Sequence, residues 1–469
     1  MTSDPLPLKN RLKIDRKWLI FSVVALTIIM ATLDASIVNI ALPIIRADFK
    51  VDITQVEWVV VAYMLTIISL LMISGRAADI YGQKKIYILG IHVFTLGSLL
   101  CAMAENISQL ILFRSFQGCG AACSMANGNV IIASVFPPKE RGKALGLIGS
   151  CVAVGLSAGP ILGGVITTYF GWRWIFLFNL PLGVIAALCA RIYLLEKASD
   201  RESKFDFLGA IFLSISLISL MLSLTKYHEW GLTAAGVLFL TSIVFFTVFI
   251  ATEKRLGAPM VDLKLFHDDR FSSANLAAFL NFAARFSITF LLPFYLIDLR
   301  GITPSAAGLL MTPVPVLFAL MSPSAGALSD RIGSRLLTTL GMLVTTFGFI
   351  LLVFINENSS LLFILICLII NGIGGGLFNS PNINTIMGCV PPKRLGNAGA
   401  MSALVRNLGM VVGIAWSGAL FAAIRGHNLG FTESLPRIVP AFQAAMAAAA
   451  LSLVAAYVSY RRSEITLHR

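Results

Sequence analysis

A few ionisable residues interrupt the long apolar stretches of this 469-residue chain, among them Asp34, Glu57, Arg114, Arg285 and Arg406. A charge held in hydrocarbon is costly, so each needs a partner, water or a task. Asp34 lies about sixteen residues into the first apolar stretch, or about 24 Å deep at 1.5 Å per residue. Arg114 lies about five residues into the fourth stretch, which runs the opposite way, at a depth of about 22 Å. The two can therefore share a level. Burial favours the protonated acid and a nearby guanidinium favours the carboxylate, so a small change in separation or hydration moves a proton on or off Asp34. Arginine suits the partner role because it stays charged whatever the carboxylate does. The alternative is a permanent Asp34–Arg114 ion pair that only fixes helix packing. Glu57, beside Trp58, is a second candidate for protons or cations if it lies in an external vestibule.

Such residues need helices to hold them. Hydrophobic residues make up 57% of the chain and charged residues 13%, a balance that no soluble domain could bury. Apolar runs bounded by charges predict helices over 18–41, 58–75, 86–104, 109–133, 143–168, 174–195, 207–225 and 233–252. Six more follow over 271–293, 305–325, 336–355, 360–385, 397–424 and 439–460, giving an all-α polytopic membrane protein of about fourteen spans. Basic residues gather in alternate loops: Lys9 to Lys17, Lys84 and Lys85, Lys139 to Lys143, Lys254 and Arg255, Arg331 and Arg335, Lys393 and Arg394, Arg461 and Arg462. The positive-inside rule then places both termini in the cytoplasm. The net charge of +13 is explained by these anchors facing lipid, and no nucleic-acid partner is expected. The first apolar stretch is too long for a secretory signal, carries Asp34, and lacks a cleavage site. Seven cysteines and five histidines are scattered without ligand spacing, so no metal, cofactor or enzyme site is expected.

The sequence repeats itself. Gly75, Arg76, Asp79, Gly82, Lys84 and Lys85 close the second helix, and Gly326, Asp330, Arg331, Gly333 and Arg335 close the tenth, shifted by about 251. Pro137, Pro138 and Lys139 recur as Pro391, Pro392 and Lys393, shifted by about 254. The expected organisation is a tail (1–17), a six-helix half (18–196), two linker helices (207–252), a second half (271–460) and a tail (461–469). In each turn a glycine permits tight reversal, and an aspartate can cap a helix or pair with a facing basic loop, holding one side closed. A solvated basic turn that serves topology alone is the other reading. With these shifts Arg114 falls on Leu368, Gln117 on Asn371, and Pro160 on Ile414, whereas Gly155 and Gly159 fall on Gly409 and Gly413. The second copy keeps the small residues and loses the arginine, which places ion coupling in the first half. Asp34 falls on or within one residue of Arg285, so the two can face each other across a cavity. Alternatively Arg285 snorkels or pairs with Asp298.

Gly146, Gly155, Gly159, Pro160, Gly163 and Gly164 form a small-residue groove for a neighbouring helix, with a kink expected at Pro160. This run resembles the antiporter motif in the fifth helix of proton-coupled drug exporters of the major facilitator superfamily. Leu33, Asp34, Ile37, Val38, Asn39, Ala41, Leu42 and Pro43 resemble the first-helix motif of its fourteen-helix branch. Arg114, Gln117, Gly118 and Gly120 resemble its fourth-helix motif, and the glycine–aspartate turn resembles its gating loop. Trp172, Arg173, Trp174, Phe176, Asn179, Pro181 and Gly183 resemble the opening of its sixth helix. The resemblance implies two pseudo-symmetric halves and export of amphipathic, cationic drugs in exchange for protons, by alternating access at a midplane site. Expected partners are a small amphipathic substrate, protons and the lipid bilayer; no sequence feature names a periplasmic adaptor. Trp58, Tyr63, Gln117, Met125, Asn129, Arg285, Phe286, Phe378 and Asn382 are candidate cavity residues, since an aromatic and methionine-containing wall accepts bulky solutes without demanding one shape. Individually, such residues also serve lipid contact or packing. The same fold exporting one dedicated metabolite, siderophore or lipid is the alternative, and a non-transporting sensor lacks an output domain of sufficient size.

Overall fold

The computed structural model describes residues 15–196, 207–255, 263–390, 395–425 and 438–465, and every regular element among them is helical. The first half consists of α1 (Arg16–Phe49), α2 (Ile53–Val56), α3 (Trp58–Tyr81), α4 (Gln83–Ala102), α5 (Ile107–Val135), α6 (Pro138–Tyr169), α7 (Arg173–Leu177) and α8 (Asn179–Tyr193). Then come α9 (Phe207–Arg255) and the second half: α10 (Asp269–Pro293), α11 (Pro304–Met311), α12 (Pro313–Ile332), α13 (Ser334–Val353), α14 (Leu361–Gly388), α15 (Leu395–Arg425) and α16 (Ile438–Ile465). A π-helical turn, Phe294–Leu299, extends α10. Among the described residues, 13 helices are long and apolar enough to cross a membrane, and Ile211–Leu224 is a shorter apolar stretch. That stretch belongs to α9, which is broken at Gly231 (φ 81°).

The repeat read from the sequence reappears as geometry. α1 packs on α6 as α10 packs on α15, α3 on α5 as α12 on α14, and α4 on α5 as α13 on α14. Gly82 (φ 104°) separates α3 from α4, and Gly333 (φ 88°) separates α12 from α13. Both sit in backbone conformations that a side chain strains, and each donates its N–H to the carbonyl four residues back, Ala78 or Ser329, at 2.9 Å. Helix starts match too. Asn106 caps α5 through the Gln109 N–H (2.9 Å), and Ser360, at the same offset as the proline pair, caps α14 through the Phe363 N–H (3.1 Å). The second Pro-Pro-Lys copy, Pro391 to Lys393, lies outside the described residues.

Within each half small residues let helix backbones meet. A Cβ at Gly120 would overlap Phe94 and Gly90 of α4, and one at Gly341 would overlap Phe378 and Gly374 of α14. One core runs through both halves, with Ile37, Val38, Ala41, Phe290, Leu291 and Ala415 buried in the same cluster. A smaller core packs Trp18 and Phe21 of α1 against Phe136.

Candidate functional site

Asp34 sits fully buried in the middle of α1, inside a cluster drawn from five helices. Arg114 of α5 donates from Nη1 to Asp34 Oδ2 at 2.6 Å. Gln117, one turn further along α5, donates from Nε2 to Asp34 Oδ1 at 3.0 Å, and Asn179 of α8 donates to the same oxygen at 2.7 Å. The i, i+3 spacing of Arg114 and Gln117 puts both on one helix face, so a single face of α5 addresses both oxygens. Around them, Arg114 Nη1 also reaches Gln117 Oε1 (2.6 Å), Arg114 Nε donates to the Val59 carbonyl of α3 (3.0 Å), and Gln117 Nε2 donates to Ser98 of α4 (2.8 Å). The guanidinium lies over the Tyr63 ring at 4.0 Å, which is why Tyr63 is buried beside it.

Both oxygens of Asp34 act as acceptors. A proton placed on either must displace a donor from α5 or α8 or weaken its bond, because a protonated acid keeps less acceptor capacity. Protonation is thereby coupled to the mutual position of α1, α5 and α8. The Arg114–Asp34 pair is a buried ion pair in which both carboxylate oxygens and the Nε and Nη1 of Arg114 are hydrogen-bonded, while Arg114 Nη2 is buried without a hydrogen-bond partner.

The glycine run of α6 lies along α1 and reaches into the second half. A Cβ at Gly155 would overlap Thr32, one at Gly159 would overlap Ser36, and one at Gly163 would overlap Ile37. Gly164 meets Pro304 and Ser305 of α11 instead, and the Pro160 carbonyl packs on Gly308. Pro160 lies inside the element, which continues through it to Tyr169. Proline lacks the N–H that would bind the Leu156 carbonyl, and Ser36 of α1 supplies the missing donor at 3.1 Å. Gly146 belongs to α6, but its surroundings lie outside the described ones.

The named contacts between the halves cluster at the end where α1 and α6 finish. Arg46 and Asp298 form an ion pair there at 3.0 Å with side-chain exposures of 4% and 6%. Ser305 donates its N–H to Thr168 at 3.0 Å. Glu57 does not occupy an open vestibule: it is fully buried against Gly418 of α15, with Phe290 of α10 alongside.

Two halves of like design, joined by a tight seam and built around a buried acid, match a family model described as Major Facilitator Superfamily over residues 24–266 and 274–468. The chain belongs to the major facilitator superfamily. Within it, the chain is 36% identical over 417 residues to the riboflavin transporter RibZ of Clostridioides difficile (strain 630), covering 89% of this chain and 91% of that one. It is 33% identical over 418 residues to the multidrug resistance protein Stp of Mycobacterium tuberculosis (strain CDC 1551 / Oshkosh), covering 88% and 77%. Among solved structures, a bacterial homolog of the human lysosomal transporter Spinster, inward-facing and unoccupied, superposes with a TM-score of 0.71 at 18% identity, covering 97% of this chain and 98% of that one. The protein is a multi-pass membrane transporter of this superfamily, and its relatives, among them proteins named for multidrug resistance, are transporters and not enzymes.

Other superfamily positions singled out in the sequence fall in several places. In the first turn, Gly75 meets Ala126 of α5, Gly82 makes the reversal, and Lys84 donates to the Arg191 carbonyl at the end of α8 (2.9 Å). The side chains of Asp79 and Asn129 lie outside the described ones. In the second turn, Asp330 accepts from Asn384 of α14 (3.3 Å), a contact inside its own half, while Arg331 and Gly333 are exposed. Of the cavity candidates, Tyr63 and Gln117 belong to the Asp34 cluster, Trp58 and Phe286 are half-buried, and Met125 is exposed. Phe378 and Asn382 are packed inside the second half instead of lining a cavity: Phe378 is buried where α14 crosses α13 at Gly341, and Asn382 donates to the Ala274 carbonyl of α10 (3.1 Å). Arg285 does not meet Asp34. Its guanidinium lies over Phe318 of α12 at 4.2 Å and beside Gly375 of α14, and Asp298, its other suggested partner, is paired with Arg46.

Ser98, Asn179 and Ser36 are the participants that sequence reasoning missed. Asn179 stood in a string noted for resemblance alone, though an asparagine opening an apolar helix is itself a signal for a buried partner. Ser98 and Ser36 carried no signal, because a helix hydroxyl ordinarily bonds its own backbone, as Ser98 does to Phe94 (3.0 Å).

Proposed function

We propose that this transporter exports amphipathic small molecules in exchange for protons, with Asp34 as the coupling carboxylate. The observation that supports this reading is the cluster itself: a fully buried acid whose two oxygens are held by donors from α5 and α8. Protonation loosens those donors, and α1, which carries Asp34, also packs on α10 and α11 of the second half. Arg114 keeps its charge in both states and retains Gln117 and Val59 as acceptors when Asp34 is neutral. Glu57 is a second proton position in this reading, since it lies in the seam between α3 and α15 that must part as the halves rock.

In this reading the basic loops put both termini in the cytoplasm, and the shorter apolar stretch Ile211–Leu224 of α9 acts as a further span before the break at Gly231, for fourteen in all. With that orientation the seam of α1, α6 and α11 closes the external side. The cationic substrate class expected from the sequence was implied by the family resemblance, with one acid in an aromatic wall as a counter-charge. With Asp34 already saturated by Arg114, Gln117 and Asn179, it offers a cation no open carboxylate in this conformation.

A dedicated solute is the second reading, favoured by the relative named as a riboflavin transporter. The two are separated by reconstituting the full chain in liposomes, imposing a proton gradient, and following uptake of several unrelated dyes alongside proton release. Broad proton-coupled export gives proton release with several dyes, competition among them, and loss of coupling in Asp34→Asn. Coupling that survives in Asp34→Asn removes Asp34 from the mechanism. A response to one solute class alone favours dedicated export.

A further inference from the structure

Charge in the middle of the second half is unbalanced. Arg285 lies at the centre of the 31-residue apolar span Asp269–Leu299, half-buried, and its Nη1 is a buried donor with no hydrogen-bond partner. The guanidinium occupies space that a Cβ at residue 375 would fill, so Gly375 is what admits it between α10, α12 and α14. Phe318 covers its face at 4.2 Å, which satisfies the flat side of the cation and none of its N–H groups. Arg406 of α15, also half-buried, has its guanidinium carbon 5.7 Å from the ring of Phe282. Phe282 and Arg285 are three residues apart on α10 and share a face, so both guanidiniums attend the same stretch of that helix.

Neither arginine forms an ion pair with a described residue, and the acids that lie deep in the described spans are engaged elsewhere. Asp34 is bound by Arg114, Asp298 by Arg46, and Glu57 is packed on Gly418. Next to Arg285, one turn along α12 and α14, Ser322 and Asn379 form a neutral polar pair at 3.3 Å. An arginine kept at mid-span without a carboxylate is unfavourable unless an anion or water meets it.

We propose that Arg285, assisted by Arg406, forms an anion site in the second half that receives the negatively charged group of an amphipathic aromatic molecule. A carboxylate, phosphate or sulfonate, or an ionised ring oxygen or imide, would fill the free donors in bidentate geometry, and Phe318 and Phe282 flank the aromatic body. This deepens the transporter reading and rests on it, replacing the cationic class by an anionic one. A lipid headgroup offers the same chemistry.

Fluorescein and rhodamine 6G share a xanthene ring and carry opposite charge, so the change in their affinity ratio from wild type to variant reports the loss of the guanidinium charge. Binding of each is measured by fluorescence anisotropy to the full chain in nanodiscs of zwitterionic lipid, for wild type, Arg285→Gln, Arg406→Gln and Arg285→Lys. The ratio of fluorescein to rhodamine affinity should fall about tenfold in Arg285→Gln, less in Arg406→Gln, and recover in Arg285→Lys. A ratio in Arg285→Gln that stays within about threefold of wild type overturns the proposal, including the case where both dyes weaken equally because the variant is misfolded. Repeating wild type with phosphatidylglycerol in the disc separates the sources: displaced fluorescein identifies a lipid headgroup, retained fluorescein a solute, and both support the anion site. Proton-coupled dye movement with an unchanged ratio defeats this inference alone, whereas absence of any proton-coupled movement defeats the exporter reading.

Discussion

Halfway along α1, Asp34 is gripped by donors from α5 and α8; at the matching level of α10, Arg285 lies on a phenylalanine ring with Nη1 unpaired. Around them the helix skeleton is the same, down to the glycine crossings of α4 with α5 and of α13 with α14. The Arg114 position is Leu368 in the second half, and the Gln117 position is Asn371, which turns back to its own helix at the Cys367 carbonyl (2.9 Å). Steric requirements were thus kept in duplicate, while charge was specialised. A close helix crossing depends on small residues alone and tolerates divergence everywhere else. A buried charge depends on a specific partner, so losing one member leaves the other to acquire a different task.

Replacing the two arginines tests that contrast most strongly. Arg114→Met should destabilise the protein by about 3–5 kcal/mol, because Asp34 is left buried without its cation. Arg285→Met should leave stability nearly unchanged or raise it, since only the ring contact with Phe318 is lost and no acid among the described residues is abandoned. Thermal unfolding in detergent measures both, and equal losses would erase the distinction between the halves.

Sterics should behave the opposite way. Gly159→Val in α6 and Gly413→Val in α15 should each cost about 1–3 kcal/mol, since a side chain meets Ser36 in one case and Ala283 in the other. A marked inequality in the two melting shifts would show that the crossings are not equivalent. Smaller still is Ser36→Ala, which leaves the Leu156 carbonyl beneath Pro160 without its donor and should cost about 1 kcal/mol. At the bottom of the scale, Gly149→Ala should stabilise the protein by no more than about 1 kcal/mol, because nothing lies within 4 Å of the added carbon and alanine favours the helix interior. A large effect there would place an unrecognised contact on the exposed face of α6.

Much of this was legible in the chain. Apolar length and the loops around Gly82 and Gly333 gave the helices and the repeat, because a membrane span has a minimum length and a tight reversal needs a positive φ. The level of Asp34 and Arg114 followed from counting residues, and the pair is real. Gly155, Gly159 and Gly163 were readable as a packing face, although the partner helix was not. Glu57 was misplaced in a vestibule because residue counting gives depth and not azimuth: it reaches the level of the helix ends yet faces α15. Phe378 and Asn382 were misassigned for the same reason, and Arg46–Asp298 joins two residues that lay beyond the expected spans.

The sequence alone determined a doubled, all-helical membrane protein with basic loops on one side and one acid and one arginine at a common depth in its first half. Those properties depend on composition and on rise per residue, both local. Only the tertiary structure decided which faces meet. That Asn179 and Ser98 complete the cluster, that Ser36 repairs the helix beneath Pro160, and that Arg285 is left without an acid among the described residues all depend on rotation of helices about their axes and on contacts between distant residues. Helix rotation is set by the sum of many packing contacts along whole helices, and no spacing within a single helix encodes it.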